Sequence, residues 1–140
     1  MVKKIFDIRI NFIIYNLYVL LYFVFKMEQN KKQLWQEWED LVLEYYEKNW
    51  YEILDTNYTI RWWEIDIIAQ KDWEIVFIEV KVVDWMDDVM WYITPKKLMA
   101  LERTIQNYMY KKWLDFGIRI DVVFVKDDKI LEVYENVTNN

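Results

Sequence analysis

Between Leu34 and Tyr45, apolar residues recur at Leu34, Trp38, Leu41, Val42 and Tyr45 with charged residues between them. This is the three-and-four spacing of a helix with one buried stripe. The pattern stops near Asn49-Trp50, and three runs rich in isoleucine and valine follow: YEILDTNYTI, EIDIIAQ and EIVFIEVKVV, each read as a strand. Residues 95–112 return to helical spacing through Leu98, Leu101, Ile105, Tyr108 and Met109. Thr94 is placed to cap this helix, and Pro95 suits its first position. RIDVVFV and KILEVYE then predict two strands around the turn Lys126-Asp127-Asp128. The order is αβββαββ, a mixed α/β layer fold. A helix joining the third strand to the fourth makes a right-handed crossover, so those two strands are expected to be parallel. The tail after Glu135 is polar and expected to fray.

Ahead of this pattern, Ile10 to Phe25 (INFIIYNLYVLLYFVF) is almost wholly apolar and follows Lys3, Lys4 and Arg9. The run is short for a bilayer span and lacks the small-residue cleavage site of a signal peptide. Three readings stand: a start assigned upstream of the true one at Met27, a short membrane anchor whose basic flank holds the cytoplasmic side, or a packed helix. The remainder, 27–140, is expected to form one domain in the cytoplasm, since 140 residues suffice for a single core. Charge is uneven. Residues 1–26 carry four basic and one acidic side chain, leaving fourteen basic and twenty-three acidic beyond them. The net charge of −6, without any basic run, is the wrong sign for a strong nonspecific binder of nucleic acid. Cysteine and histidine are both absent, so disulfides, thiolate metal sites, imidazole bases and the common catalytic triads are excluded. Chemistry must run on carboxylates, lysines and hydroxyls.

The second and third strands carry such groups. Side chains alternate along a strand, which puts Glu64 and Asp66 on one face, with Ile65 and Ile67 on the other. Phe77, Glu79 and Lys81 likewise share a face. Both strands are otherwise apolar, as in strands covered on both sides, and a charge buried there costs several kcal/mol unless it is paired or binds a metal. A turn at Lys71-Asp72-Trp73-Glu74 pairs positions equidistant from it, which brings Asp66 beside Glu79. Two carboxylates next to one lysine suit Mg²⁺, a hard ion that takes one or two carboxylates plus phosphate oxygens. The lysine would position a water and offset charge building on phosphorus. The alternative is an ion pair of Glu79 with Lys81 on a solvated sheet face. Glu39, by itself, reads as an ordinary solvated helix residue.

From about Lys31 to Val137 the chain resembles the YraN-like family of small bacterial proteins. By motif that family belongs to the PD-(D/E)XK nuclease superfamily, and its layout is similar to that of archaeal Holliday-junction resolvases. The family's Gly-x-x-Gly-Glu helix start is matched by Trp35-Gln36-Glu37-Trp38-Glu39, its Gly-Tyr by Trp50-Tyr51, and its strand asparagine by Asn57. Its Gly-Gly-Glu-Ile-Asp is matched by Trp62-Trp63-Glu64-Ile65-Asp66 and its Phe-x-Glu-Val-Lys by Phe77 to Lys81. Lys97 opens the second helix, and Arg119 to Val123 match an Arg-x-Asp-Val-Val strand. The resemblance implies a restriction-endonuclease-like mixed sheet flanked by helices. It also implies a metal-dependent endonuclease acting on DNA, with branched or structured DNA as substrate and a homodimer by analogy with the resolvases. Asp66, Glu79 and Glu39 would bind Mg²⁺ or Mn²⁺, and Lys81 would be catalytic. Glu64 would orient a ligand or water, and Lys97 would contact phosphate. Arg119 and Asp121 are expected to form a buried structural pair. A binding module of the same fold, which holds nucleic acid or a partner without cutting, is the alternative.

The departures from the family pattern are of one kind, with tryptophan at glycine positions. The chain has one glycine where about ten are usual, and nine tryptophans. The expectation is a gene from a lineage that decodes UGA as glycine, translated as if UGA meant tryptophan. Trp50 after a helix and Trp73 in a hairpin fit this without the family, because both sites favour a residue tolerant of positive φ. The rival, indoles that stack on unpaired bases, leaves the coincidence with glycine sites unexplained. The nine tryptophan codons are therefore expected to be UGA; UGG at those positions in the gene would end the idea.

Overall fold

The computed structural model describes residues 2–61, 63–83 and 94–138, with side chains described from residue 16 onward. The chain divides into two compact units, Met1–Gln36 and Glu37–Asn140. Helix α1 (Val2–Lys48) opens the fold, followed by β1 (Glu52–Ile60), β2 (Trp63–Lys71), β3 (Glu74–Val82), helix α2 (Pro95–Lys112), β4 (Gly117–Lys126) and β5 (Lys129–Tyr134). The helix that the apolar spacing begins at Leu34 thus extends back to Val2. The intervening MEQNKKQ contains neither glycine nor proline and consists mostly of good helix formers, so nothing in it stops a helix. In the first unit Leu17, Leu20, Leu21, Phe23 and Phe25 are exposed. No described helix is long and apolar enough to cross a membrane.

In the second unit the five strands form one mixed sheet in the order β1-β2-β3-β4-β5. Every neighbouring pair is antiparallel except β3 and β4, which are parallel across the α2 crossover as the right-handed connection requires. Both faces of the sheet are covered. Val42 and Tyr46 of α1 pack on Ile67, Val76, Ile78, Val80, Val123 and Val125. On the other face Leu101, Ile105 and Tyr108 of α2 pack on Ile65, Ile68, Ile75, Phe77 and Ile120. This is the restriction-endonuclease-like α/β layout. On α1 the core position belongs to Tyr46, while its neighbour Tyr45 is exposed. Tyr46 donates to the fully buried Asp121 at 2.7 Å, and Arg119 grips the same carboxylate through Nε and Nη2, both at 3.0 Å. The expected Arg119–Asp121 pair is therefore the tie that holds the C-terminal part of α1 to β4.

Expectation and structure part company at Ile65 and Ile67. Strict alternation puts the two on one face, yet Ile67 packs on the α1 side and Ile65 on the α2 side. The cause lies across the ladder. β1 and β2 pair at Thr56–Ile67 and Tyr58–Ile65, and between them Asn57, opposite Asp66, has a φ of 52°. A left-handed residue within a strand turns the chain, and the alternation slips at that point.

Two of the tryptophans, Trp50 and Trp113, stand where L side chains fit badly. After α1, the Tyr51 amide donates to the Tyr46 carbonyl and the Trp50 amide to the Glu47 carbonyl, both at 3.0 Å. After α2 the Leu114 and Trp113 amides close the same pair of bonds on Met109 and Tyr110. Both ends are Schellman motifs, whose C′ residue is normally glycine. Here they hold Trp50 at φ 67° and Trp113 at φ 55°, with 86% and 87% of their surface exposed. Trp73 differs from expectation: the left-handed residue of its hairpin is Asp72, at φ 54°, while Trp73 stacks on Phe116. Trp62 lies outside the described residues. Trp50→Gly and Trp113→Gly should each stabilise the fold by about 1 kcal/mol, because glycine carries no left-handed penalty and neither indole is buried. Urea denaturation checks this, and a loss of stability in both variants would contradict it.

Candidate active site

The geometry centres on the place where β2 and β3 part. Their ladder runs from the Lys71–Glu74 turn to Ile67–Ile78. One step beyond, in the register that brings Asp66 to Glu79, the side chain of Asp66 intervenes: its Oδ2 accepts the Val80 amide hydrogen at 2.6 Å. A carboxylate thus takes the place of a backbone acceptor. Glu79 projects to the α2 side with Phe77, and Lys81 Nζ donates to Glu79 Oε2 at 2.9 Å. The second oxygen, Glu79 Oε1, is buried without a hydrogen-bond partner among the described residues. Such an atom is costly in the absence of a cation or a bound water.

Around this pair the other predicted residues fall into two groups. On the α2 side Lys97 lowers the Glu79 pKa through its charge. Glu79, Lys81, Lys97, Leu98, Leu101 and Trp63 share the lining of a cavity of about 20 Å³, room for one water-sized body. On the other side, Glu39 of α1 accepts from Asn57 Nδ2 at 3.2 Å, and Glu64 accepts from the Thr59 hydroxyl at 2.8 Å. Asp66 and Glu64 both push the Glu39 pKa upward, and Asp66 also pushes up that of Glu79. Asp66 is the member that joins the groups. Among the described residues no three acidic side chains form a ready-made metal cage. The supporting residues Asn57 and Thr59 are assigned no role by sequence reasoning. Thr59 faces Glu64 across β1–β2, a pairing legible only once the register is known.

Burial governs the electrostatics. It pushes the Glu79 carboxyl above its ordinary range; Lys81 pulls it back, and Asp66 pushes it up again. Asp66 is raised by burial as well, with the Val80 amide and Lys81 opposing, and Glu39 is raised for the same main reason. The carboxylates are therefore less compensated than their surroundings need. The donor set fits a divalent cation: hard oxygens, one of them orphaned, with a charge deficit that a cation would fill.

Comparison with known proteins places the chain beside one family. The model of the Uncharacterised protein family UPF0102 matches residues 38–125. A UPF0102 protein of Nitratiruptor sp. is 44% identical over 91 residues, 65% of this chain and 80% of that protein. One from Thermotoga petrophila is 38% identical over 96 residues, covering 69% of this chain and 89% of the relative. One from Carboxydothermus hydrogenoformans is 34% identical over 117 residues, 77% of this chain and 97% of its own length.

A carboxyl group raised in the folded state contributes stability fully below its ordinary value, 3.8 for Asp66 and 4.5 for Glu79, and that contribution is lost as pH rises through the folded value. The metal-free protein should therefore lose stability as pH climbs from about 4 towards neutrality. Asp66→Asn, which keeps an acceptor for Val80 and removes the charge, should raise the melting midpoint at pH 8 in EDTA and change it little at pH 4. Thermal unfolding at the two pH values checks this, and an equal shift at both would contradict it.

Proposed function

This chain belongs to the Uncharacterised protein family UPF0102, and on that premise we propose that it is a metal-dependent endonuclease hydrolysing DNA phosphodiesters at branched or structured sites. The observation that carries the reading is the buried Glu79 Oε1, without a partner among the described residues, beside Lys81 and Asp66. Glu79 and Asp66 would hold Mg²⁺ or Mn²⁺, with Glu39 joining from α1. The bound ion supplies an acidified water and charge neutralisation on the phosphate.

The chain's own residues have separable tasks in this reaction. A water oxygen bonds to phosphorus, one P–O ester bond breaks, and the leaving oxygen takes up a proton. Lys81 is assigned to positioning the water and offsetting charge on the phosphoryl oxygens, a role that a cation in a partly dry site performs far better than one in open water. Glu79 Oε2 fixes the Lys81 ammonium through their 2.9 Å bond. Lys97 is assigned to a phosphate oxygen and Glu64, held by Thr59, to orienting a water. The Arg119–Asp121 pair has no part in the chemistry.

A second reading, a nucleic-acid-binding module that does not cut, draws support from the Glu79–Lys81 ion pair and from the lack of a three-carboxylate cage among the described residues. Cleavage of a labelled four-way junction by the purified protein with Mg²⁺ separates the two. Asp66→Ala and Lys81→Ala should each reduce the rate at least about 100-fold, the usual cost of losing one transition-state contact, with the far-ultraviolet circular dichroism unchanged. Nicking at the wild-type rate by either variant would remove the assignment.

A further inference from the structure

Beside the candidate active site the fold gathers cations that are scattered in the sequence. A groove of about 810 Å³ runs along one face of α2, with Arg61, Lys96, Lys97 and Arg103 in its lining and no acidic side chain among the described residues that line it. Arg61 comes from the β1–β2 connection, where it has a φ of 49°; the lysines and Arg103 come from α2. Lys96, Ala100, Arg103 and Asn107 follow one another at helical spacing, so they form a single strip on the helix. Lys111 continues the strip, its ammonium lying 5.9 Å from the centre of the Tyr58 ring. The seven steps from Lys96 to Arg103 rise about 10 Å along the axis.

Two features separate this groove from an ordinary solvated face. The first is charge segregation: in a chain of net charge −6, four cations line one groove, and none of them forms an ion pair with a described carboxylate. The second is continuity. Lys97 lines both this groove and the small cavity that contains Glu79 and Lys81, so the cationic strip leads into the candidate active site. Among the described residues, Glu37, Asp40, Glu44 and Asp128 gather instead around a separate groove at α1. A ligand that suits a row of separated positive charges ending at a phosphodiester-cleaving site is itself a row of phosphates.

We infer that this groove is the track for the phosphodiester backbone of the strand to be cut, with Arg61, Lys96 and Arg103 as positioning residues and Lys97 at its inner end. The inference rests on the nucleic-acid reading above and adds the direction from which the strand arrives. It does not use the indole of Trp63, which occupies a family glycine position. Contacts of this kind are to phosphates, so they set register and affinity without reading base sequence.

The test is equilibrium binding of a fluorescent four-way junction, followed by anisotropy over a range of salt concentrations, in the Lys81→Ala background with calcium in place of magnesium. Each phosphate contact contributes roughly 0.7 to 0.9 to the slope of log K against log salt. Replacing Arg61, Lys96 and Arg103 together with alanine should flatten that slope by about 2 and weaken binding at least about tenfold near physiological salt. Arg61→Lys with Arg103→Lys should restore most of the loss, and Lys129→Ala, on the β4–β5 turn, should change nothing. If the background protein binds and the triple variant retains its slope and affinity, the groove assignment is overturned while the nuclease reading stands. If the background protein does not bind the junction, both fall. A triple variant with an altered melting midpoint is judged by the lysine pair instead, where unrestored binding counts against the assignment.

Discussion

The Asp66 carboxylate accepts the Val80 amide hydrogen at 2.6 Å, and the arrangement around the candidate site depends on that bond. It forms where the β2–β3 ladder ends and where Asn57, opposite in β1, takes a left-handed conformation. A strand pair that continued regularly would satisfy Val80 with a backbone carbonyl and leave a buried carboxylate with no donor. By opening, the sheet gives Asp66 a donor. The same slip in alternation turns Ile65 towards α2 while Ile67 stays on the α1 side. Both isoleucines are fully buried, so the core itself holds the irregularity in place.

The cost of that arrangement falls on the carboxylates. Asp66 and Glu79 lie in strands covered on both faces, and burial is the largest influence on each. Lys81 offsets part of it from 2.9 Å, yet one oxygen of Glu79 has no partner among the described residues. Compare Asp121, which is also fully buried but accepts from Tyr46, Arg119 and the Asn136 amide. Two acidic residues of one sheet thus have opposite treatment: the structural one is saturated and the candidate catalytic one is not. Under-satisfied buried charge is expected where a ligand completes the site.

The nine tryptophans bear on the same question of consistency between sequence and backbone. Natural sequences tend to agree with their fold at every level, in propensity, capping and turn chemistry. Here helix patterning, the Thr94 cap, the Pro95 start and strand composition all agree, while Trp50 and Trp113 each stand at the left-handed end of a Schellman motif and Arg61 is left-handed in the β1–β2 connection. A backbone that demands glycine in two places where the chain writes tryptophan fits a substitution rule acting on one residue type.

The sequence alone was sufficient for the order αβββαββ, the parallel pairing of the third and fourth strands, and the meeting of Asp66 with the Glu79–Lys81 strand. Those features follow from local periodicity and from a two-residue turn that fixes register, and both are short-range. Several others were decided only by the tertiary structure. Helix α1 runs on from the apolar Ile10–Phe25 segment through MEQNKKQ into the stripe that begins at Leu34, a continuity that neither segment shows by itself. The slip at Asp66 arises from Asn57 across the sheet, and Glu64 finds Thr59 only through the β1–β2 register. The cationic groove brings Arg61 beside residues more than thirty positions away in the chain, which no window of sequence reveals. Charge along a chain gives the sign of the whole; where like charges collect is set by which elements pack together, because only packing brings distant residues to one surface.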